Sequence, residues 1–299
     1  MRQAPFTAHW RVGPVVAGAF EAHLRLDDEH LFAGHYPGAP IFPGSFLIEA
    51  LFQAARAALG GEVGLEEILT CRFHAPLLPG DELSARFTLK EAGAGRTSIE
   101  ATASGRSPSA ELTMLVVTLP PASQGSLASA PPWEPAGPAA RLLNASFIRR
   151  VLPHRPPALL VDSAQILDLP GARSALIARK AISPDEPCYA GAEPTSNWHY
   201  PRSLILESFC QACGLLRAAT GPDNEPHDET KVPVLAKLAG LRFTGDATLG
   251  DLLEHHVQLV VRTAQGAVFS GQTVVAGRVV LQVARVVAAL ATLHADAIR

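Results

Sequence analysis

Aromatic side chains make up only 6% of the 299 residues, and the chain holds two methionines and four cysteines. Those thiols (Cys71, Cys188, Cys210 and Cys213) are too few and too unevenly placed for a disulfide scaffold, so an ordinary core must hold the fold. Strong charge is missing as well. The net charge of −3 removes the basic footprint of a nucleic-acid binder and gives no reason to expect an anionic membrane as partner. No long apolar run goes uninterrupted: Val274–Leu293 is rich in valine but contains Arg278 and Arg285. Burying two arginines in a bilayer costs about 2.5–3.5 kcal/mol each, so a buried strand pair is the better reading and no membrane insertion is expected. Met1–Pro5 shows neither an apolar core nor a cleavage-like site; no secretory signal is expected, and the expected location is cytoplasmic. A Gly-rich phosphate loop, a Gly-x-Ser-x-Gly elbow and a dinucleotide fingerprint are all absent, which excludes nucleotide, serine-hydrolase and NAD chemistry.

What is present reads as globular. Hydrophobic residues make up 47% and charged residues 18%, in a chain long enough for two cores. The segment 120–140 (PPASQGSLASAPPWEPAGPAA) has no hydrophobic period and is dense in Pro, Ser, Gly and Ala, as a linker is. It divides the chain into an N-terminal module, 1–119, and a C-terminal module, 141–299.

The modules repeat each other. PGSFLIEALFQAARAALG (Pro43–Gly60) answers to PRSLILESFCQACGLLRAA (Pro201–Ala219), each a Pro followed by an apolar helix with Glu and then Gln four residues on. These pairs are Glu49 with Gln53 and Glu207 with Gln211. Farther along, FHAPLLPGDEL (Phe73–Leu83) answers to FTGDATLGDLL (Phe243–Leu253), and the polar insertion Gly221–Lys231 accounts for the changed spacing. Matched segments in one order point to internal duplication. Both helices are apolar nearly all round, as a helix wrapped by a sheet should be. Alternating runs follow each: 82–90, 98–104 and 111–118, then 254–263, 268–275 and 279–288. The expected class is α+β with antiparallel sheets.

GHYPGAPIFPGSFLIEALFQAA (Gly34–Ala55) resembles the bacterial β-hydroxyacyl-(acyl carrier protein) dehydratases, with Tyr36 where that family usually has Phe. LPHRPPALLVD (Leu152–Asp162) and FHAPLLPGD resemble other segments of the same family. The resemblance implies a double hotdog, each module a sheet wrapped around a central helix, the two packed as a pseudo-dimer. It further implies a catalytic His from one module and a Glu from the helix of the other. His35 precedes Glu49 by 14 residues, whereas the same count back from Glu207 reaches Glu193, with no His beside it. One asymmetric site follows, His35 with Glu207, while Glu49 is vestigial. Gly44, Tyr36 and Gln211 are the expected substrate-binding residues, and Arg202, which stands opposite Gly44, is expected to crowd the second site.

The chemistry implied is loss of water from a β-hydroxyacyl thioester to give a trans-2-enoyl thioester in fatty acid or polyketide biosynthesis. A neutral imidazole suits removal of the α-proton, and Glu207, in an apolar helix, is expected to stay protonated as the acid. No cofactor or metal is expected, since phosphopantetheine carries the substrate. The implied partner is acyl carrier protein, for which Arg149, Arg150 and Arg155 form a candidate dock; a homo-oligomer of the chain is a further expectation. Cys210 and Cys213 are read as packing residues. His255 and His256, adjacent on a strand, are expected to point to opposite faces, and His199 stands too near Glu207 in sequence to replace the missing His. Two rivals are a hotdog thioesterase and a non-catalytic hotdog subunit.

Overall fold

The computed structural model describes residues 4–60, 63–118, 139–169, 173–190, 198–221 and 231–292. In the first half the strands are β1 (Arg11–Val12) and β2 (Ala19–Arg25), followed by helix α1 (Gly44–Leu59). Then come β3 (Val63–Phe73), β4 (Glu82–Glu91), β5 (Arg96–Ser104) and β6 (Pro108–Thr118). The second half runs β7 (Ala139–Leu143), α2 (Ala145–Val151), β8 (Ser163–Leu169), β9 (Arg173–Ala181) and α3 (Arg202–Ala219). It ends on β10 (Lys231–Phe243), β11 (Leu252–Thr263), β12 (Gly266–Val275) and β13 (Arg278–Thr292). Most of the expected linker, along with Glu193, lies outside the described residues, and positions 139–140 already belong to β7.

Strand patterning follows from burial on one face. In β4, Leu83, Ala85 and Phe87 point into the core while Glu82, Arg86 and Lys90 face out. The valine-rich stretch forms the end of β12 and β13, with Arg278 and Arg285 exposed. No helix among the described residues is long and apolar enough to cross a membrane.

All strands join one antiparallel sheet in the order β1-β2-β4-β5-β6-β3-β10-β13-β12-β11-β9-β8-β7. From the centre outward, β3-β6-β5-β4-β2 in one direction matches β10-β13-β12-β11-β9 in the other, as a duplicated chain folding into a pseudo-dimer requires. The seam is the β3–β10 pairing, with Cys71 opposite Leu238 and Ile68 opposite Leu241, all buried. Glu66 of β3 reinforces it, accepting from Arg96 at 2.7 Å in its own half and from Arg242 of β10 at 3.2 Å. Helices α1 and α3 share the enclosed core, and each buries residues on every side, including Leu51 and Phe52 in one and Leu206 and Phe209 in the other.

A second clasp joins the halves at the loop before α1. Gly34 has φ of +74°, and its carbonyl accepts from Arg155 N–H at 2.8 Å. A Cβ at Gly34 would stand 2.1 Å from the Arg155 carbonyl oxygen, so only glycine allows this approach.

Candidate active site

The Gly34 clasp sets His35 against the second half of the chain. His35 is buried, and its Nδ1 lies 2.8 Å from the Ile41 carbonyl oxygen. A carbonyl can only accept, so Nδ1 carries the proton and Nε2 keeps its lone pair. Burial chiefly lowers the imidazole pKa to about 4, against a smaller opposing pull from Glu207, so the ring is neutral at pH 7.

Glu207 sits on the buried face of α3. Its Oε2 accepts from Ser45 Oγ at 2.7 Å, across the α1–α3 contact, and its Oε1 accepts from Gln211 Nε2 at 3.1 Å. Gln211 also donates to the Ala158 carbonyl and accepts from Leu160 N–H, which fixes the amide's orientation. A third partner was not singled out from the sequence as a site residue: His154, whose Nε2 is 3.5 Å from Glu207 Oε1. Its ring centroid lies 5.0 Å from that of His35 and 5.2 Å from that of Tyr36. The LPHR segment was visible in the chain, but nothing local ties a turn after α2 to a carboxylate on α3.

This environment corrects the expectation of a protonated Glu207. Burial pushes the carboxyl upward, but the hydrogen bond with His154, the charges of His35 and His154 and the Ser45 hydroxyl outweigh it and hold the pKa at about 2. Glu49 shows what burial does without histidines. It has matching partners, Ser203 Oγ at 3.0 Å and Gln53 Nε2 at 3.0 Å, and its pKa is raised, with burial the leading cause.

The donor atoms of His35, His154 and Glu207 lie within 4.8 Å of one another. They are the side chains a cation could use, but the Glu207 oxygens already accept from Ser45 and Gln211. The same residues face a cavity of about 230 Å³, whose apolar wall includes Phe73, Leu77, Leu152, Leu235 and Val286. Tyr36, Gly44 and Gln211 all line it. Tyr36, at φ +55°, donates its hydroxyl to the Pro233 carbonyl and so ties the His35 loop to β10. Cys210 and Cys213 are part of the wall, and burial raises both thiols well above their usual range. A second cavity, of about 330 Å³ and lined by Phe6, Phe46, Pro157 and Leu204, reaches His35 and Glu207 from another side.

Gly44 opens α1 with its backbone on the first cavity, and no side chain caps that helix. A Cβ there would come within 3.0 Å of the Phe73 ring. In the other half, Arg202 stacks over Phe243, the counterpart of Phe73, at 5.2 Å and pairs with Asp246 at 2.9 Å. The space left open beside Gly44 is there filled by a guanidinium. Of the remaining residues considered from sequence, His255 is fully buried against Thr273 and Ser208, and His199 lies in an isolated bridge with Thr248. Arg155 holds its own turn by donating to the Leu152 and His154 carbonyls, leaving Arg149 and Arg150 as the exposed cations.

Comparison with known proteins agrees with this architecture. The ApeI-like dehydratase family matches residues 6–106, and the FabA-like domain family matches residues 152–284. Over 146 residues, 48% of this chain, the sequence is 39% identical to a 3-hydroxyacyl-[acyl-carrier-protein] dehydratase FabZ from Anaeromyxobacter sp. (strain Fw109-5), covering 87% of that protein. A FabZ from a Nitratiruptor species is 30% identical over 142 residues, 47% of this chain and 93% of its own length. The fold is that of the dehydratase domain from the CurJ module of curacin polyketide synthase, with TM-score 0.66 and 12% identity over 96% of this chain and 98% of that one. The dehydratase domain of PpsC from Mycobacterium tuberculosis is similar, with TM-score 0.62 and 19% identity over 97% and 99%. The chain belongs to the FabZ family of 3-hydroxyacyl-[acyl-carrier-protein] dehydratases, as a tandem of two hotdog modules.

Proposed function

We propose that this protein removes water from a β-hydroxyacyl thioester carried on acyl carrier protein, giving the trans-2-enoyl thioester for fatty acid or polyketide biosynthesis. One observation carries the reading: His35 of the first half and Glu207 of the second line one apolar cavity, with a neutral base beside a carboxylate. In the mechanism, His35 Nε2 takes the α-proton, the C–O bond to the β-hydroxyl breaks as the C=C bond forms, and Glu207 is the group from which a proton reaches the departing oxygen. Negative charge growing on the thioester oxygen suits the uncapped N–H groups opening α1, where Gly44 allows a close approach. Tyr36 and Gln211 position the base and the carboxylate respectively. Every step is a proton transfer or elimination without net redox change, so the reading calls for no metal or cofactor beyond the carrier's phosphopantetheine.

Exposed Arg149 and Arg150 lie in the last turn of α2, and Leu152 and Pro153, just beyond its end, line the cavity. Two cations beside a cavity wall suit the acidic surface and phosphate of a carrier protein. The test is mass spectrometry of 3-hydroxyacyl-carrier-protein substrates of several lengths. Loss of one water is expected, and His35→Ala should slow it by about 10²- to 10⁴-fold. Release of free acid without any enoyl product would establish a thioesterase instead.

A further inference from the structure

We infer that the proton given to the leaving hydroxyl is held between Glu207 and His154, which makes His154 the positioning residue that loads the acid. The inference rests on the dehydratase reading above. Its starting point is a shortage: a general acid must begin with a proton, and Glu207 is surrounded by groups that favour its ionised form. His35 cannot supply that proton, because it must be unprotonated to accept one from the α-carbon. Ser45 and Gln211 donate hydrogen bonds to the carboxylate but do not give up protons near neutral pH, which leaves His154, buried, with Nε2 3.5 Å from Oε1. Its Nδ1 is buried and has no hydrogen-bond partner among the described residues, whereas Nδ1 of His35 meets the Ile41 carbonyl.

The duplication supplies an internal control. Gln53 accepts from Ala8 N–H and donates to the Phe6 carbonyl, as Gln211 accepts from Leu160 N–H and donates to the Ala158 carbonyl. That register sets Ala8 against Leu160 and, counted back equally, Arg2 against His154; Arg2 lies outside the described residues. The site around Glu49, to which the sequence gives no counterpart of His35, therefore has no counterpart of His154 in the sequence either. There the equivalent carboxyl, Glu49, keeps its Ser and Gln partners but is shifted in the opposite direction from Glu207.

The step balances as follows. His154, starting as the imidazolium, passes its Nε2 proton to Glu207, which protonates the β-oxygen as His35 Nε2 takes the α-proton. Water and enoyl thioester result, with His35 now cationic and His154 neutral. Return of that proton through Glu207 to His154 restores the start, over a ring separation of 5.0 Å. The titratable and charged groups around His154 are His35 and Tyr36 from the first half, Glu207 and Cys210 of α3, and Arg155 next to it in the chain.

The test compares kcat/KM against pH for the full-length protein and its His154→Gln variant, acting on a 3-hydroxyacyl-carrier-protein substrate. Glutamine can still donate to Glu207 but cannot carry the transferable proton. The rate is expected to fall about 10- to 100-fold, below the usual range for a direct acid or base, with the basic limb moving to lower pH. A uniform loss with the limb unmoved would reduce His154 to packing and overturn the inference. A second readout needs no turnover: NMR titration of the His154 ring in the wild type and in Glu207→Gln. A lower His154 pKa in the variant is expected; an unchanged one overturns the sharing. If the wild type forms no enoyl product, the dehydratase reading fails, while the titration still decides whether the two groups share a proton.

Discussion

Ser45 at the start of α1 donates a 2.7 Å hydrogen bond to Glu207 in the middle of α3. The reciprocal bond, Ser203 to Glu49, measures 3.0 Å. Each helix thus holds the other's carboxylate through a serine, while histidines accompany Glu207 alone among the described residues.

This reciprocal arrangement makes Glu207→Gln and Glu49→Gln a matched pair. The first should lower turnover by about 10²- to 10⁴-fold, since an amide cannot deliver a proton. The second should leave turnover nearly intact: burial already favours the neutral form of Glu49, which an amide resembles. Steady-state kinetics with melting curves on both variants decide the matter. Equal losses in both, with folding preserved, would refute the single asymmetric site.

Gly34→Ala should damage activity and stability together. The added methyl would meet the Arg155 carbonyl at 2.1 Å, in a backbone conformation of φ +74°. Strain of that kind costs on the order of 1–3 kcal/mol even before the clash. A lower melting temperature with strongly reduced turnover is expected, and a variant equal to wild type in both would show that the loop has room to move.

Gly44→Val should shorten the range of accepted acyl chains, because its side chain would press on Phe73 and Leu235 in the cavity wall. Longer 3-hydroxyacyl substrates are expected to lose more turnover than short ones. Arg202→Gly, by contrast, should cost stability through the lost Asp246 pair yet create no second site, since the position that matches His35 in the sequence is Glu193. Doubled turnover in Arg202→Gly would contradict this.

His255 offers a pH test away from the site. Burial chiefly lowers its pKa to about 3 from the usual 6.5, with a smaller push from His256. The unfolded chain therefore binds a proton that the folded chain refuses, and this contribution to stability is lost as pH falls from about 6.5 towards 3. His35, lowered to about 4, acts in the same direction. His255→Gln should flatten part of the acid-side decline in urea midpoint, even if it is less stable at pH 7 through weaker bonds to Thr273 and Ser208. An unchanged slope between pH 7 and 4.5 would count against a neutral buried His255.

Local pattern was enough for the elements whose environment is uniform. Helices α1 and α3 declare themselves by apolar residues all round, and β4 and β5 by alternation on a half-buried face. In strands β3 and β10, bulges between Leu65 and Glu67, between Ile68 and Thr70, and between Leu235 and Lys237 interrupt the two-residue period. These are the strands that form the seam between the halves.

The sequence by itself determined the duplication, the wrapped helices with their paired Glu and Gln, and the presence of the Gly-His-Tyr-Pro-Gly loop in one half alone, because each is a motif or a spacing written along one stretch of chain. Only the tertiary structure decided that His154 joins them and that Glu207 is held ionised. An apolar helix read alone predicts a neutral carboxyl, since desolvation is the one influence local sequence reveals. The opposing charges and hydrogen bonds come from Ser45, His35 and His154, distant in the chain and brought to the carboxylate by the Gly34–Arg155 clasp and the packing of α1 on α3.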